Sequence, residues 1–170
     1  MESNREHINT RMSRIRSKDT QIELKVRKEL FKKGFRYRLN VKDLPGKPDI
    51  VLPKYRTVIF VHGCFWHGHQ NCKYAQVPKS NTDFWIAKIE RNRVRDDETF
   101  RKLEALQWNV AVVWECELKK NNMSATIATL ESSIRSNGQN WEKEKEDRRC
   151  NRSEYQLRQK KAKQKKYSII

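Results

Sequence analysis

Glycine and proline are scarce in this 170-residue chain, at 5 and 4 residues, and there are no internal repeats. Long hydrophobic runs are missing as well. A stretch such as Thr57-Val-Ile-Phe-Val61 falls far short of the roughly 20 residues that cross a bilayer. The opening residues, Met1 to His7, lack the apolar segment of a secretory signal, so secretion is not expected. The length fits one domain with extensions.

Acid is also in short supply. The chain has 21 Asp+Glu against 38 Lys+Arg, a formal charge of +17, and a mean hydropathy of −1.01. A metabolite enzyme needs no such surplus of cations, whereas a protein that grips a phosphate backbone does. Residues 141–170 carry 11 Lys+Arg against 5 Asp+Glu, a net +6, and residues 1–140 carry 27 against 16, a net +11. The core is therefore basic in its own right. The tail, with Lys160-Lys161-Ala-Lys163-Gln-Lys165-Lys166, reads either as a solvated, partly disordered segment or as a nonspecific nucleic-acid tether.

Ile8, Met12 and Ile15 share one face of a short basic helix within residues 5–18. Asp19 or Thr20 caps a second helix from Gln21 to Lys33, carrying Ile22, Leu24, Val26, Leu30 and Phe31 and closed by Gly34. Phe35 to Leu39 alternates as a half-buried strand, and Leu44-Pro-Gly-Lys-Pro48 is turn chemistry leading into a short strand, Asp49 to Leu52. Arg56 to Val61 is β-branched and reads as a central strand buried on both faces. Asn81 to Leu106 reads as a long helix with Phe84, Ile86, Ile89, Val94, Phe100, Leu103 and Leu106 in step. Asn109 to Trp114 is another buried strand, Met123 to Ser133 a weaker helix, and residues 137–170 are polar. This order gives an α/β domain with a mixed central β-sheet. A basic arm (1–20), a catalytic domain (21–136) and a basic extension (137–170) are the expected divisions.

Reactive side chains concentrate between His62 and Lys79. Cys64, His69 and Cys72 fall within nine residues, and Cys116 follows the last strand. Three thiolates and an imidazole are a common donor set for structural Zn²⁺. Without a secretory signal a reducing compartment is expected, which disfavours the alternative of a disulfide. Such an ion would fix a loop that has little apolar area to bury. Cys150, in the charged tail, reads as a free thiol.

A second group comprises Asp49, His62, His67 and Asp96, with Glu23 as an outer carboxylate. Antiparallel pairing of the two short strands brings Asp49 near Val61 and His62. A carboxylate, a main-chain carbonyl and waters form a hard oxygen set suited to Mg²⁺. A histidine held by a carboxylate can then deprotonate a water for phosphodiester hydrolysis. Each residue also has a blander reading: Asp49 as a turn residue, Asp96 as a member of a surface ion pair. Phe65, Trp66 and Trp85 are aromatics suited to stacking against bases, while Trp108 and Trp114 read as core.

The strings Asp43-Leu-Pro-Gly-Lys-Pro-Asp49, Val58-Ile-Phe-Val-His62-Gly-Cys-Phe-Trp-His67, Phe84-Trp85, Arg95-Asp96 and Trp114-Glu-Cys116 resemble the very-short-patch (Vsr-type) DNA mismatch repair endonucleases, over about Arg11 to Ile134. The resemblance implies a restriction-endonuclease-like fold with a zinc-stapled loop. It also implies Mg²⁺-dependent nicking of one strand 5′ to the thymine of a T·G mismatch, left by deamination of 5-methylcytosine. By this likeness Asp49 and the Val61 carbonyl hold Mg²⁺, and His67, supported by Asp96, activates water. His62 and Glu23 take neighbouring positions. Cys64, His69, Cys72 and Cys116 hold Zn²⁺. Phe65, Trp66 and Trp85 intercalate beside the mismatch, and Met12 and Ile15 wedge in from the minor groove. Further implied are double-stranded DNA as partner, contact with general mismatch-repair proteins, a functional link to a cytosine-5 methyltransferase, a monomeric state and a cytoplasmic, nucleoid-associated location. The second acidic residue and lysine of the wider nuclease superfamily are absent, and the strand ends in His62 instead. The rival readings are a restriction-like or mobile-element nuclease without mismatch preference, and a zinc-stapled DNA-binding protein without catalysis.

Overall fold

The computed structural model describes residues 19–119 and 122–167. Met12 and Ile15, and the side chain of Cys150, lie outside the described residues. Helix α1 (Gln21–Lys32) is followed by strands β1 (Ile50–Leu52) and β2 (Thr57–His62), helix α2 (Thr82–Ala105), strand β3 (Asn109–Trp114) and helix α3 (Met123–Tyr167). Short 3₁₀ turns occupy Pro53–Tyr55, Lys73–Ala75 and Glu115–Leu118. The sheet order is β1-β2-β3, with β1 antiparallel and β3 parallel to β2. It is therefore a mixed sheet flanked by helices. No helix among the described residues is long and apolar enough to cross a membrane.

All six residues of β2 are buried, because helices cover both faces of a central strand whose side chains alternate between them. Ile59 and Val61 join Val26 and Leu30 of α1 and Ile127, Leu130 and Ile134 of α3 on one face. Val58 and Phe60 join Leu103 of α2 on the other, with Phe100 and Trp108 alongside. Each fully buried side chain of this size is worth about 1.5–3 kcal/mol, so β2 is the fixed post from which the site is hung.

Helix α1 starts at Thr20, whose hydroxyl oxygen accepts from the Glu23 amide at 3.3 Å. Only part of the apolar periodicity in α1 and α2 faces the core: Val26, Leu30, Ile89 and Leu103 are buried, while Leu24, Phe31, Phe84, Ile86, Val94 and Leu106 are exposed. The strand expected over Phe35–Leu39 is reduced to one antiparallel bridge, Arg38 to Val51. Its ladder ends at once because Asn40 turns into the left-handed region at φ 53°, which leaves Val41 and Leu44 to pack elsewhere. The helix expected over Met123–Ser133 instead continues to Tyr167. Its later residues are mostly Glu, Lys, Arg and Gln, all good helix formers, with i,i+4 ion pairs at Glu131–Arg135 and Glu144–Arg148.

Candidate active site and metal centre

Both groups of chemical residues hang from one end of the sheet. In the parallel pairing His62 stands opposite Trp114, so Cys64 and Cys116, each two residues further on, emerge side by side. The intervening loop coils tightly: the His67 amide donates to the Gly63 carbonyl and the His69 amide to the Cys64 carbonyl, at 3.3 and 3.0 Å. His69 Nδ1 then lies 3.6 Å from Cys64 Sγ and 3.3 Å from Cys116 Sγ. Cys72 completes a cluster whose ligand atoms all lie within 4.8 Å of one another and could hold a metal ion. Burial pushes the Cys64 thiol up to about 12 and raises Cys116 as well. A metal-free cluster therefore keeps these protons, and a bound cation would displace them.

Gly68 presses this loop against α2. At φ +61° its Cβ would meet Ile89 Cγ2 at 2.7 Å, so the close approach needs a residue without one. Asn92 Nδ2 donates to the Trp66 carbonyl at 2.8 Å and fastens the loop to the same helix. One turn along, Asp96 Oδ2 meets His67 Nδ1 at 2.5 Å. Burial works against ionising Asp96, but the hydrogen bond and charge of His67, with His62 and Arg95, outweigh it and hold its pKa below the usual value. The carboxylate is therefore the acceptor and Nδ1–H the donor, which leaves His67 Nε2 as the basic nitrogen.

His62 stacks on His67 with ring centroids 3.7 Å apart and planes 11° from parallel. Burial, with the charge of His67 next, lowers the His62 pKa to about 4, so it stands beside His67 as a neutral ring. Ligating atoms of His62, His67 and Asp96 converge closely enough to suggest a metal cage. The parallel stack argues otherwise, because one ion cannot lie in the planes of two rings stacked this way. The trio is held together by one hydrogen bond and one ring stack.

Asp49 sits just before β1, and its Oδ2 accepts the Val61 amide at 2.7 Å. Its pKa rises to about 6, chiefly through burial and then through repulsion from Glu23, against the opposing pull of Val61, Arg27 and His67. Asp49, Glu23, Arg27 and His67 thus share one neighbourhood. Glu23 itself is committed to the start of α1. Its Oε1 accepts from the Thr20 hydroxyl at 2.8 Å, and its Oε2 accepts from the Asp19 amide at 3.1 Å and from Arg27 at 2.8 Å. Phe65, Trp66 and Trp85 pack edge to face at 5.1–6.1 Å as a partly exposed aromatic cluster, extended by exposed Phe84.

Two participants are not evident from the sequence pattern. Trp114, expected in the core, stacks on His69 at 4.1 Å and meets His62 edge-on at 5.4 Å, so one indole touches both clusters. Its position directly before Glu115-Cys116 is the signal that could have marked it. Arg27, buried beside Asp49, pairs with Glu23 and Asp19; its i,i+4 spacing from Glu23 could have marked it as well.

A mixed α/β domain of strongly basic composition here sets a carboxylate-held imidazole near a half-buried aspartate, and the chain's relatives put it in the class of endonucleases. A family model described as DNA mismatch endonuclease Vsr matches residues 3–73. The chain is 57% identical over 108 residues to the type II nicking enzyme V.NmeAIP of Neisseria meningitidis serogroup A, covering 64% of this chain and 76% of that one. It is 51% identical over 124 residues to the type II nicking enzyme V.XorIIP of Xanthomonas oryzae pv. oryzae, covering 73% and 86%. It is 44% identical over 108 residues to the DNA mismatch endonuclease Vsr of Escherichia coli, covering 64% and 69%. The chain belongs to the Vsr family of DNA mismatch endonucleases.

Proposed function

We propose that the protein nicks one DNA strand 5′ to the thymine of a T·G mismatch produced by deamination of 5-methylcytosine, and so starts very short patch repair. The observation that carries this reading is the ionised Asp96 behind His67, on the loop that also presents Phe65 and Trp66. The restriction-endonuclease-like fold, the cytosine-5 methyltransferase link and contact with general repair proteins belong to the same reading.

Asp49 and the Val61 carbonyl form a hard oxygen set that fits Mg²⁺, because Val61 N–H occupies only one Asp49 oxygen. When bound there, Mg²⁺ supplies Lewis-acid stabilisation to the phosphodiester. The remaining steps fall to side chains. Asp96 fixes the His67 tautomer, Nε2 takes a proton from water, and the resulting hydroxide adds to phosphorus as the P–O bond 5′ to the thymine breaks; the leaving oxygen keeps that bond's electron pair and takes a proton from solvent. His62, neutral and stacked on His67, restricts the ring's rotation.

For the second centre we read Zn²⁺. A tetrahedral site with Zn–S of about 2.3 Å and Zn–N of about 2.0–2.1 Å has edges of about 3.5–3.8 Å, close to the 3.6 and 3.3 Å found here. Cys64, His69, Cys72 and Cys116 would hold it and staple the loop to the end of β3.

The aromatic cluster would stack against bases at the distorted pair, with Met12 and Ile15 approaching from the minor groove. The test is nicking of matched duplexes that differ only in one T·G pair. Wild type cuts the mismatched strand 5′ to the thymine, and the Phe65→Ala, Trp66→Ala double variant loses that preference. Equal cutting of fully paired DNA by wild type overturns the reading in favour of a restriction-like nuclease.

A further inference from the structure

Helix α3 does not end with the core. It begins near the catalytic end of the sheet, where the Thr126 hydroxyl donates to the Glu117 carbonyl at 3.1 Å. After Ile127, Leu130 and Ile134 have packed on β2 and β3, it is docked at the opposite end by three contacts. Gly138 passes so close to Tyr55 that a Cβ would come within 2.6 Å of the ring. The Arg56 guanidinium lies between Trp108 and Trp141, at 4.3 and 4.9 Å. Its Nε and Nη2 donate to the Gln107 and Leu106 carbonyls at 3.0 and 2.6 Å. Arg148 Nη2 donates to Gln107 Oε1 at 3.2 Å. Tyr55, Arg56, Gln107 and Trp108 all precede the first residues of β2 and β3, whereas His62 and Trp114 end those strands.

A helix held at both ends of the sheet has its direction set. Beyond Trp141 it continues to Tyr167, away from the catalytic residues. From Arg148 to Tyr167 the sequence has nine Lys+Arg and one acid, Glu154, a net +8, along roughly 30 Å of helix. Like charges three or four apart, such as Lys160 and Lys163 or Lys161 and Lys165, repel one another and each cost an isolated helix some stability. A polyanion removes that cost.

We propose that this part of α3 is a second, sequence-independent DNA-binding element, which grips a stretch of duplex outside the one held at the catalytic centre. The proposal rests on duplex DNA being the substrate. Charge complementarity selects DNA as the occupant, and the Arg56 dock separates this region from the first.

The test uses the full chain with K160Q, K161Q, K163Q, K165Q and K166Q combined, since Gln keeps helix propensity while removing charge. Binding is measured against salt, without Mg²⁺, on mismatched duplexes of about 12 and about 60 base pairs. On the long duplex the salt slope falls by about 3–4, each phosphate no longer neutralised lowering it by about 0.9. On the short duplex the slope and the subsequent nicking rate are unchanged. The matching five-arginine variant restores the slope. Equal slopes for wild type and variant on the long duplex overturn the proposal. So does the same fall on both lengths, which would put these lysines on the catalytic stretch of DNA. Failure of wild type to nick either duplex would instead count against the function proposed above.

Discussion

His67 and His69 stand two residues apart in one loop and end in opposite chemistry. His69 points its Nδ1 at two sulfurs and lies flat on Trp114, whereas His67 gives its Nδ1 to an ionised carboxylate and lies flat on His62. The first arrangement uses up the ring in a soft donor cluster. The second holds the ring still while leaving Nε2 free to react. What a histidine does here is set by what its other face and other nitrogen meet, and Gly68 between them supplies the turn that sends the two rings to different partners.

The largest effect expected from breaking this contrast lies on the His69 side. Structural zinc in small folds is worth roughly 10–16 kcal/mol, so Cys116→Ala should leave the purified protein with far less than one equivalent of zinc and a lower, broader melt. A full equivalent retained by this variant, by elemental analysis, would remove Cys116 from the ligand set.

Next comes Asp49→Asn. Several kcal/mol of metal-assisted stabilisation are at stake, at least about 10³-fold in nicking rate, with DNA binding kept. Stability moves the other way. Asp49 is raised from 3.8 to about 6, so it helps the fold when protonated and loses that contribution as pH climbs from about 4 through 6, leaving a penalty of about 3 kcal/mol at pH 7 in the metal-free protein. Denaturant melts without Mg²⁺ should show the Asp49→Asn variant more stable than wild type at pH 7 and equal to it near pH 4. A loss of stability at pH 7 would contradict the burial assigned to this carboxylate.

The smallest effect belongs to the pair that defines the His67 side. His67→Ala should slow single-turnover nicking by about 10²–10⁴-fold. Asp96→Asn should cost less, and the double variant no more than His67→Ala alone, because Asp96 acts through the imidazole. Additive losses would assign Asp96 a role of its own.

The central strand, the α1 cap at Thr20 and the span of α2 are legible in sequence because each rests on local rules: a β-branched run, an oxygen-bearing cap, a long stretch without breakers. Phe35 to Leu39 is not, since alternation describes a surface that can be half buried without saying whether a partner strand continues beside it; here Asn40 ends the pairing after Arg38. The full length of α3 is hidden too. Its hydrophobic signal stops at Ile134, and what holds the helix beyond that point is Trp141 reaching Arg56, a residue remote in sequence.

By itself the sequence determined which chemistry was available: a +17 charge for a polyanion, soft donors around His62–Cys72, and hard donors at Asp49 and Asp96. Only the tertiary structure decided how those donors were divided. The parallel register of β2 with β3 sets Cys64 beside Cys116, the antiparallel register of β1 with β2 hands Asp49 to the Val61 amide, and α2 delivers Asp96 to His67. Ligand sets and acid–base pairs depend on separations of a few ångströms between residues tens of positions apart, and those separations exist only after the sheet has chosen its registers.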